Sequence, residues 1–364
     1  MKRILIAVFA VLMVFAGCRQ LSVPTKAVTA GDEISTPTIT PTAGDETSTP
    51  TITPTPVSTV EGGVPLDTPV LIFGEFGEDP GKLLRPIDIE VGNNGNVYVA
   101  DSGKSKIVKF NSSGVFLTEW GGIGTDLGRF SGLQGITIDT DNNIYSIEDS
   151  GYDTYICRVQ RFSPNGDFIA TWGSYDNMCE TDGLFCSPRE IVFNEGEIYV
   201  ADRTWSSDGG FRIQRFDLFG YFEEKYIIPP NPEFDSYNVS MSPDNDGNWH
   251  IIGDYNNQKI AKFSPGFVFI DVWGKLGINE GEFHDISQIK TDSAGNVYVY
   301  DAQAGRINKF TAEGVYIKRI QVFQPFSLDA LLFGRGAMAI DSAGYIYLAG
   351  NNIFRTHTIY KFAP

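Results

Sequence analysis

Residues 94–101 read Asn94-Gly95-Asn96-Val97-Tyr98-Val99-Ala100-Asp101: a turn, then β-branched and aromatic residues that stop at an acid. This is the pattern of a hairpin feeding a strand. The phrase returns as Tyr145 to Asp149, Tyr199-Val200-Ala201-Asp202, His250 to Asp254, Tyr298-Val299-Tyr300-Asp301 and Tyr347-Leu348-Ala349-Gly350. The closing residues stand 48, 53, 52, 47 and 49 positions apart. A period near 50 residues is the mark of a repeat architecture.

Working outward, each copy is followed by a strand ending in a basic residue and Phe: Lys109-Phe110, Arg161-Phe162, Arg215-Phe216, Lys262-Phe263, Lys309-Phe310 and Lys361-Phe362. A glycine turn comes next at Gly114, Gly166, Gly220 and Gly314. A fourth strand then runs Phe116 to Trp120, Phe168 to Trp172 and Phe269 to Trp273, with weaker copies at Phe222 to Tyr226 and Tyr316 to Ile320. No segment has a sustained helical period. The sixth unit stops at Pro364, after its third strand, while Ile72 to Phe76, followed by Gly77, is a spare fourth strand ahead of the first unit. Pairing the two closes a ring and removes the exposed sheet edges. The expected fold is all-β: a six-bladed β-propeller of four-stranded antiparallel blades, closed by an N-terminal strand that completes the last blade. The blades fall at about 84–121, 132–173, 187–227, 236–274, 285–321 and 334–364 plus 70–77.

The run Pro86 to Val91, Asn94 to Asp101, Lys106-Ile107, Phe110 and Gly114 resembles the NHL repeat, and all six units over residues 70–364 share the likeness. Unit 4 departs most, with Trp249-His250 in place of Val-Tyr and Gly266 after Pro265. The resemblance implies the six-bladed ring. It implies no single function, since its relatives include binding and signalling domains, RNA-binding regulators, a peptide-amidating lyase and the similar virginiamycin B lyase.

The chain's beginning resembles a bacterial lipoprotein leader. Lys2 and Arg3 precede an apolar run, Ile4 to Phe15, which ends Phe15-Ala16-Gly17-Cys18. The run is too short to span a bilayer comfortably. Residues 1–17 read as the signal peptide and Cys18 as the lipidation site, which implies an extracytoplasmic, envelope-bound protein. Residues 18–66 read as a disordered stalk. A 13-residue Thr/Ser/Pro unit occurs twice there, at 30–42 and 43–55, with almost no large apolar groups. Fully extended it reaches ~140 Å, at roughly 3.1 Å per residue. Residues 67–364 form the propeller domain. Of the remaining cysteines, Cys179 and Cys186 are the nearest pair, with Cys157 as the alternative partner.

A formal net charge of −17 makes nucleic acid an unsuitable partner. In the expected ring the first strand of each blade lines the channel, and the residues approaching it face the loop side. These are Arg85, Asp88, Gln134, Arg189, Glu190, Tyr237, Asn238, Asp285, Gln288 and Arg335. They either pair with one another and plug the channel or hold a ligand. Guanidinium groups suit carboxylate, phosphate or sugar groups.

Chemistry beyond binding has little support in the residues. A zinc site needs three ligands meeting at one point, and His250, His284 and His357 fall in different strand positions. Asp139-x-Asp141-x-Asn143 and Asp244-x-Asp246-x-Asn248 have oxygens at alternating positions but read as hairpin turns rather than calcium loops. No metal or cofactor is expected. The sequence points to a monomeric, surface-displayed propeller for binding, sensing or protein interaction. Its expected partners are the membrane, through the lipid, and an extracellular protein, peptide, glycan or small anionic ligand in the funnel. An extracytoplasmic lyase of the virginiamycin B or peptide-amidating type is the alternative.

Overall fold

The computed structural model describes residues 65–151, 154–204, 210–228, 239–252, 258–323, 336–350 and 357–364. The leader, Cys18 and the Thr/Pro-rich segment up to residue 64 lie outside the described residues. Every element among the described residues is a β-strand.

The first is β1 (Leu71–Phe73). Blade 1 is β2 (Pro86–Val91), β3 (Val97–Asp101), β4 (Lys106–Phe110) and β5 (Phe116–Gly121). Blade 2 is β6 (Leu133–Ile138), β7 (Ile144–Asp149), β8 (Cys157–Phe162) and β9 (Phe168–Trp172). Blade 3 is β10 (Pro188–Asn194), β11 (Glu197–Arg203), β12 (Phe211–Phe216) and β13 (Phe222–Ile228). Blade 4 is β14 (Ser240–Pro243), β15 (Trp249–Ile252), β16 (Ile260–Phe263) and β17 (Phe269–Trp273). Blade 5 is β18 (Ile286–Thr291), β19 (Val297–Asp301), β20 (Arg306–Phe310) and β21 (Tyr316–Gln321). Blade 6 is β22 (Ala337–Ile340), β23 (Ile346–Ala349) and β24 (Ile359–Phe362), with β1 as its outermost strand.

The ring follows from the innermost strands. β2 touches β6 and β22, β10 touches β6 and β14, and β18 touches β14 and β22. The cores lie between blades rather than within them. Tyr98, Ala100 and Ile107 of blade 1 pack with Phe130, Ile136, Ile144 and Phe162 of blade 2. An amphipathic sheet buries a face only against another sheet, so each blade depends on its neighbours.

Acids placed by the repeat hold the turns. Asp139 Oδ1 accepts the Asp141 and Asn143 N–H groups, and its Oδ2 accepts from Asn143 Nδ2 and the Tyr145 hydroxyl. Asp244, Asp292 and Asp341 repeat this two-and-four pattern. These are Asx turns between first and second strands. The acid that closes the second strand holds the segment that leads into the first strand of the same blade. Asp101 accepts the Leu84 and Arg85 N–H groups, Asp202 those of Cys186 and Ser187, and Asp301 those of His284 and Asp285.

Closure occurs through β1, with Leu71 opposite Lys361, Ile72 opposite Tyr360 and Phe73 opposite Ile359. The register differs by three residues from the sequence repeat. Phe73-Gly74, not Phe76-Gly77, takes the Trp-Gly place. Phe76 bridges Leu83 in the following loop, as Ile123 bridges Phe130.

Candidate functional site

Four of the six innermost strands begin with a residue pair that the ladder cannot hold straight. Register shifts fall between Pro86 and Asp88, Leu133 and Gly135, Pro188 and Glu190, and Ile286 and Gln288. A bulge leaves one residue unpaired and re-aims its neighbours. The unpaired residues here are Ile87, Gln134, Arg189 and Ser287. These four and their successors Asp88, Gly135, Glu190 and Gln288, together with Val239, line a cavity of about 190 Å³. Four bulges at one level of the ring thus make the mouth of the channel.

Strand alternation carries the site one step deeper. Residues two apart on a strand share a face. Asp88 is followed by Glu90 on β2, and Gln288 by Lys290 on β18. Lys290 of blade 5 crosses to blade 1, with Nζ 2.6 Å from Glu90 Oε1. Glu90 also lines a second cavity of about 140 Å³ with Ile138, Thr140 and Phe193. The ion pair therefore stands at the step from one cavity to the other.

Burial shapes the charges. Asp88 is 6% exposed and Glu190 8%. Asp88 Oδ1 accepts the Ile89 N–H and Oδ2 the Ile136 N–H of blade 2, at 2.9 and 2.8 Å. Burial pushes the Asp88 carboxyl up to about 7; Lys290 opposes that rise and Glu90 adds to it. Burial also holds Glu190 well above the usual carboxylate range, with Lys290 opposing and Asp88 and Glu90 adding. Burial alone would lower Lys290, but Glu90, Asp88 and Glu190 together keep it above its ordinary value. Arg189 is turned toward Asp149, at 3.4 Å.

Of the sequence candidates, Asp88, Gln134, Arg189, Glu190 and Gln288 meet at the cavity. Arg85 and Asp285 do not line it: they precede the bulges, where Asp101 and Asp301 hold their backbone N–H groups. Tyr237, Asn238 and Arg335 lie outside the described residues. Sequence reasoning missed Glu90 and Lys290, although the period of two placed both on the channel face.

The histidines stay apart in role. His250 is buried with Nε2 3.3 Å from Asp244, and burial lowers its basicity. His357 stacks on Phe76, and burial lowers it as well. His284 gives its backbone N–H to Asp301. Among the described residues no three His, Cys, Asp or Glu side chains are arranged to hold a metal ion. Cys179 and Cys186 form a disulfide, and Cys157 is a buried free cysteine.

The NHL repeat model matches residues 83–110, which contain β2 to β4. No curated protein matches the chain in sequence. Among solved structures, a gluconolactonase from Xanthomonas campestris superposes with a TM-score of 0.54 at 8% identity, over 84% of this chain and 99% of that one. The calcium-binding protein regucalcin from Agrobacterium tumefaciens gives 0.54 at 9% identity, over 82% and 95%. A virginiamycin B lyase from Staphylococcus aureus gives 0.48 at 16% identity, over 80% and 87%. At identities this low the first two speak for the fold alone. With the repeat matched in blade 1 and six four-stranded sheets set in a ring, the chain is an NHL-repeat six-bladed β-propeller.

Proposed function

We propose that this chain is a surface-displayed, membrane-tethered binding or sensing propeller that takes its ligand in the bulge-lined cavity. The observation that carries the reading is Glu190: a carboxyl 8% exposed, on the cavity wall, with no hydrogen-bond donor among the described residues. Its carboxyl opens onto the cavity, where a ligand's donor can reach it, and burial makes its ionised form costly without such a partner. The leader ending at Cys18 and the stalk support display outside the cytoplasm, and the Cys179–Cys186 disulfide suits an oxidising compartment.

Two measurements test the proposal. Full-length protein screened against a panel of small metabolites by thermal shift should give hits that Gln134→Trp, which fills the cavity, removes. Cys18→Ala should move the protein from the membrane fraction to the soluble one. A panel without hits, or hits indifferent to Gln134→Trp, would refute the cavity as the binding site.

A second reading, an extracytoplasmic lyase, draws on Asp88. A carboxyl that titrates near neutrality suits general acid–base work. Incubation with virginiamycin B tests it, with Asp88→Asn as the control. An intact antibiotic removes the virginiamycin B form of that reading.

A further inference from the structure

We infer that the bulge-lined cavity takes a small organic cation, a primary ammonium compound bearing hydroxyl or amide groups, held between Asp88 and Glu190. The inference rests on the binding reading above and names the ligand class. Asp88 from blade 1 and Glu190 from blade 3 occupy the same level of the ring, each preceding an isoleucine, Ile89 or Ile191, that pairs with the second strand. Blade 2, between them, has Gly135 at that level. A Cβ there would lie 3.2 Å from Asp88 Oδ2, so the missing side chain leaves the space beside the carboxylate open.

The charges already present do not satisfy the pair. Lys290 gives its hydrogen bond to Glu90 one level deeper, and Arg189 is turned to Asp149. At the level of the acids, the other innermost strands offer Gly135 on β6, Ser240 on β14, Gln288 on β18 and Ala337 on β22, none of them charged. Two carboxyls thus face the cavity with no cation committed to them at that level. An ammonium has three donors and no acceptor; it gives Glu190 the hydrogen bond it lacks. The amides of Gln134 and Gln288 and the Ser287 hydroxyl line the remaining wall and match hydroxyl or amide groups.

Proton release follows. Burial favours the neutral form of both acids in the empty cavity. A bound ammonium favours the ionised form, so uptake expels protons and affinity rises with pH. The groups that set this balance are Asp88 and Glu90 on β2, Arg189 and Glu190 on β10, and Lys290 on β18.

The test is calorimetry on the full chain with ethanolamine, glucosamine and serinol, in phosphate and in cacodylate, from pH 5.5 to 8. Ethylene glycol serves as the neutral analogue and calcium chloride as the inorganic cation. At least one ammonium probe should bind with net proton release and gain about tenfold in affinity across that range, while ethylene glycol does not bind. Glu190→Gln should lose about tenfold, which corresponds to about 1.4 kcal/mol, with its circular dichroism unchanged; Gln134→Trp, a second variant, should abolish binding. Silence from all three ammonium probes, or binding indifferent to Glu190→Gln, overturns the inference. Uptake of ethylene glycol or calcium instead, blocked by Gln134→Trp, overturns the ammonium assignment and leaves the binding reading in place.

Discussion

Phe73 lies beneath Gly114: a Cβ built on Gly114 would come within 2.6 Å of the Phe73 side chain. Trp120 lies under Gly166, Trp172 under Gly220 and Trp273 under Gly314 in the same manner, at 2.5, 2.5 and 2.7 Å. In each case an aromatic residue at the end of one blade's outer strand fills the space left by the next blade's turn glycine. The strand that closes the ring therefore obeys the contact rule of the blades that are continuous in sequence.

That contact gives the first prediction. Phe73→Ala should lower stability by about 3 kcal/mol, the usual loss for a buried aromatic. Gly114→Ala should cost about 1–3 kcal/mol, because its φ of +77° and the ring below both oppose a side chain. Urea unfolding measures both. A loss under about 1 kcal/mol for Phe73→Ala would mean that β1 does not hold the ring closed.

Unit 4, the weakest sequence match, breaks the rule in a compensated way. Phe267 occupies the turn position at φ +55°, where blades 1, 2, 3 and 5 have glycine. Blade 3 offers Tyr226 in place of Trp, and Phe267 packs on it at 4.7 Å and on Trp249 at 5.1 Å. Phe267→Gly should relieve about 1 kcal/mol of backbone strain and lose about 3–5 kcal/mol of packing. The expected net is a loss of about 2–4 kcal/mol by urea unfolding; a stabilised variant would show that the strain outweighs the packing.

Much of the ring was legible because its devices are local. Glycine and aspartate turns, a period of two and a Trp-Gly ending each leave a mark in a few consecutive residues. The register of β1 was not legible. Phe73-Gly74 and Phe76-Gly77 are the same dipeptide three residues apart, and the choice between them is made by Ile359 and Leu83, remote in sequence. At the site, Asp88, Gln134, Arg189, Glu190 and Gln288 could be read because they follow the turn that starts each innermost strand. Arg85 and Asp285 carry equally suitable side chains. They fall outside the cavity because the bulges begin after them, and a bulge leaves no signature in residue type. Lys290 and Glu90 were within reach of strand alternation, but their meeting across the channel depends on the ring itself.

The Lys290–Glu90 pair makes a third prediction. Lys290→Met leaves Glu90 without its ion-pair partner and removes the charge that opposes the rise of Asp88 and Glu190. The pair is only part-buried, so removing one partner should cost less than the ~3–5 kcal/mol of a fully buried pair. Adding Glu90→Gln to the same chain should recover most of that loss. Equal stabilities for the single and double variants would show that Glu90 is not the partner that matters.

Thiol chemistry separates the three downstream cysteines. Burial first, then the Asp149 and Asp202 charges, push the Cys157 thiol up to about 12. The folded, unreduced protein should show no reactive sulfhydryl among them, and denaturation without reductant should expose one. Replacing Cys179 and Cys186 by alanine should cost roughly 2 kcal/mol, the value for a loop this short. Three thiols after denaturation without reductant would contradict the bridge.

Asp88 predicts an unusual dependence of stability on pH. In the unfolded chain its carboxyl titrates at the ordinary value near 4; in the fold it titrates at about 7. Between these values the folded state holds more protons, so this group favours folding less as pH rises, and its stabilising effect is gone above about 7. At 1.36 kcal/mol per pH unit the change is at most about 4 kcal/mol between pH 4 and 7, and Glu190, displaced in the same direction, adds to it. Carboxylates drawn into ion pairs, such as Asp244 and Asp292 beside Lys262 and Lys309, act in the opposite sense but titrate below the ordinary value. Their effect is confined to more acidic pH, but His250 and His357, held below their ordinary value by burial, gain stability as pH rises toward 6.5 and so oppose the channel acids within the interval from 5 to 7. Urea midpoints for the full chain should therefore carry a downward slope from Asp88 between pH 5 and 7, partly offset by the two histidines. Asp88→Asn should flatten that slope, even though the amide keeps only one acceptor for the Ile89 and Ile136 N–H groups. A variant slope equal to the parent's would mean that Asp88 is already ionised at pH 5 and that burial does not govern its charge.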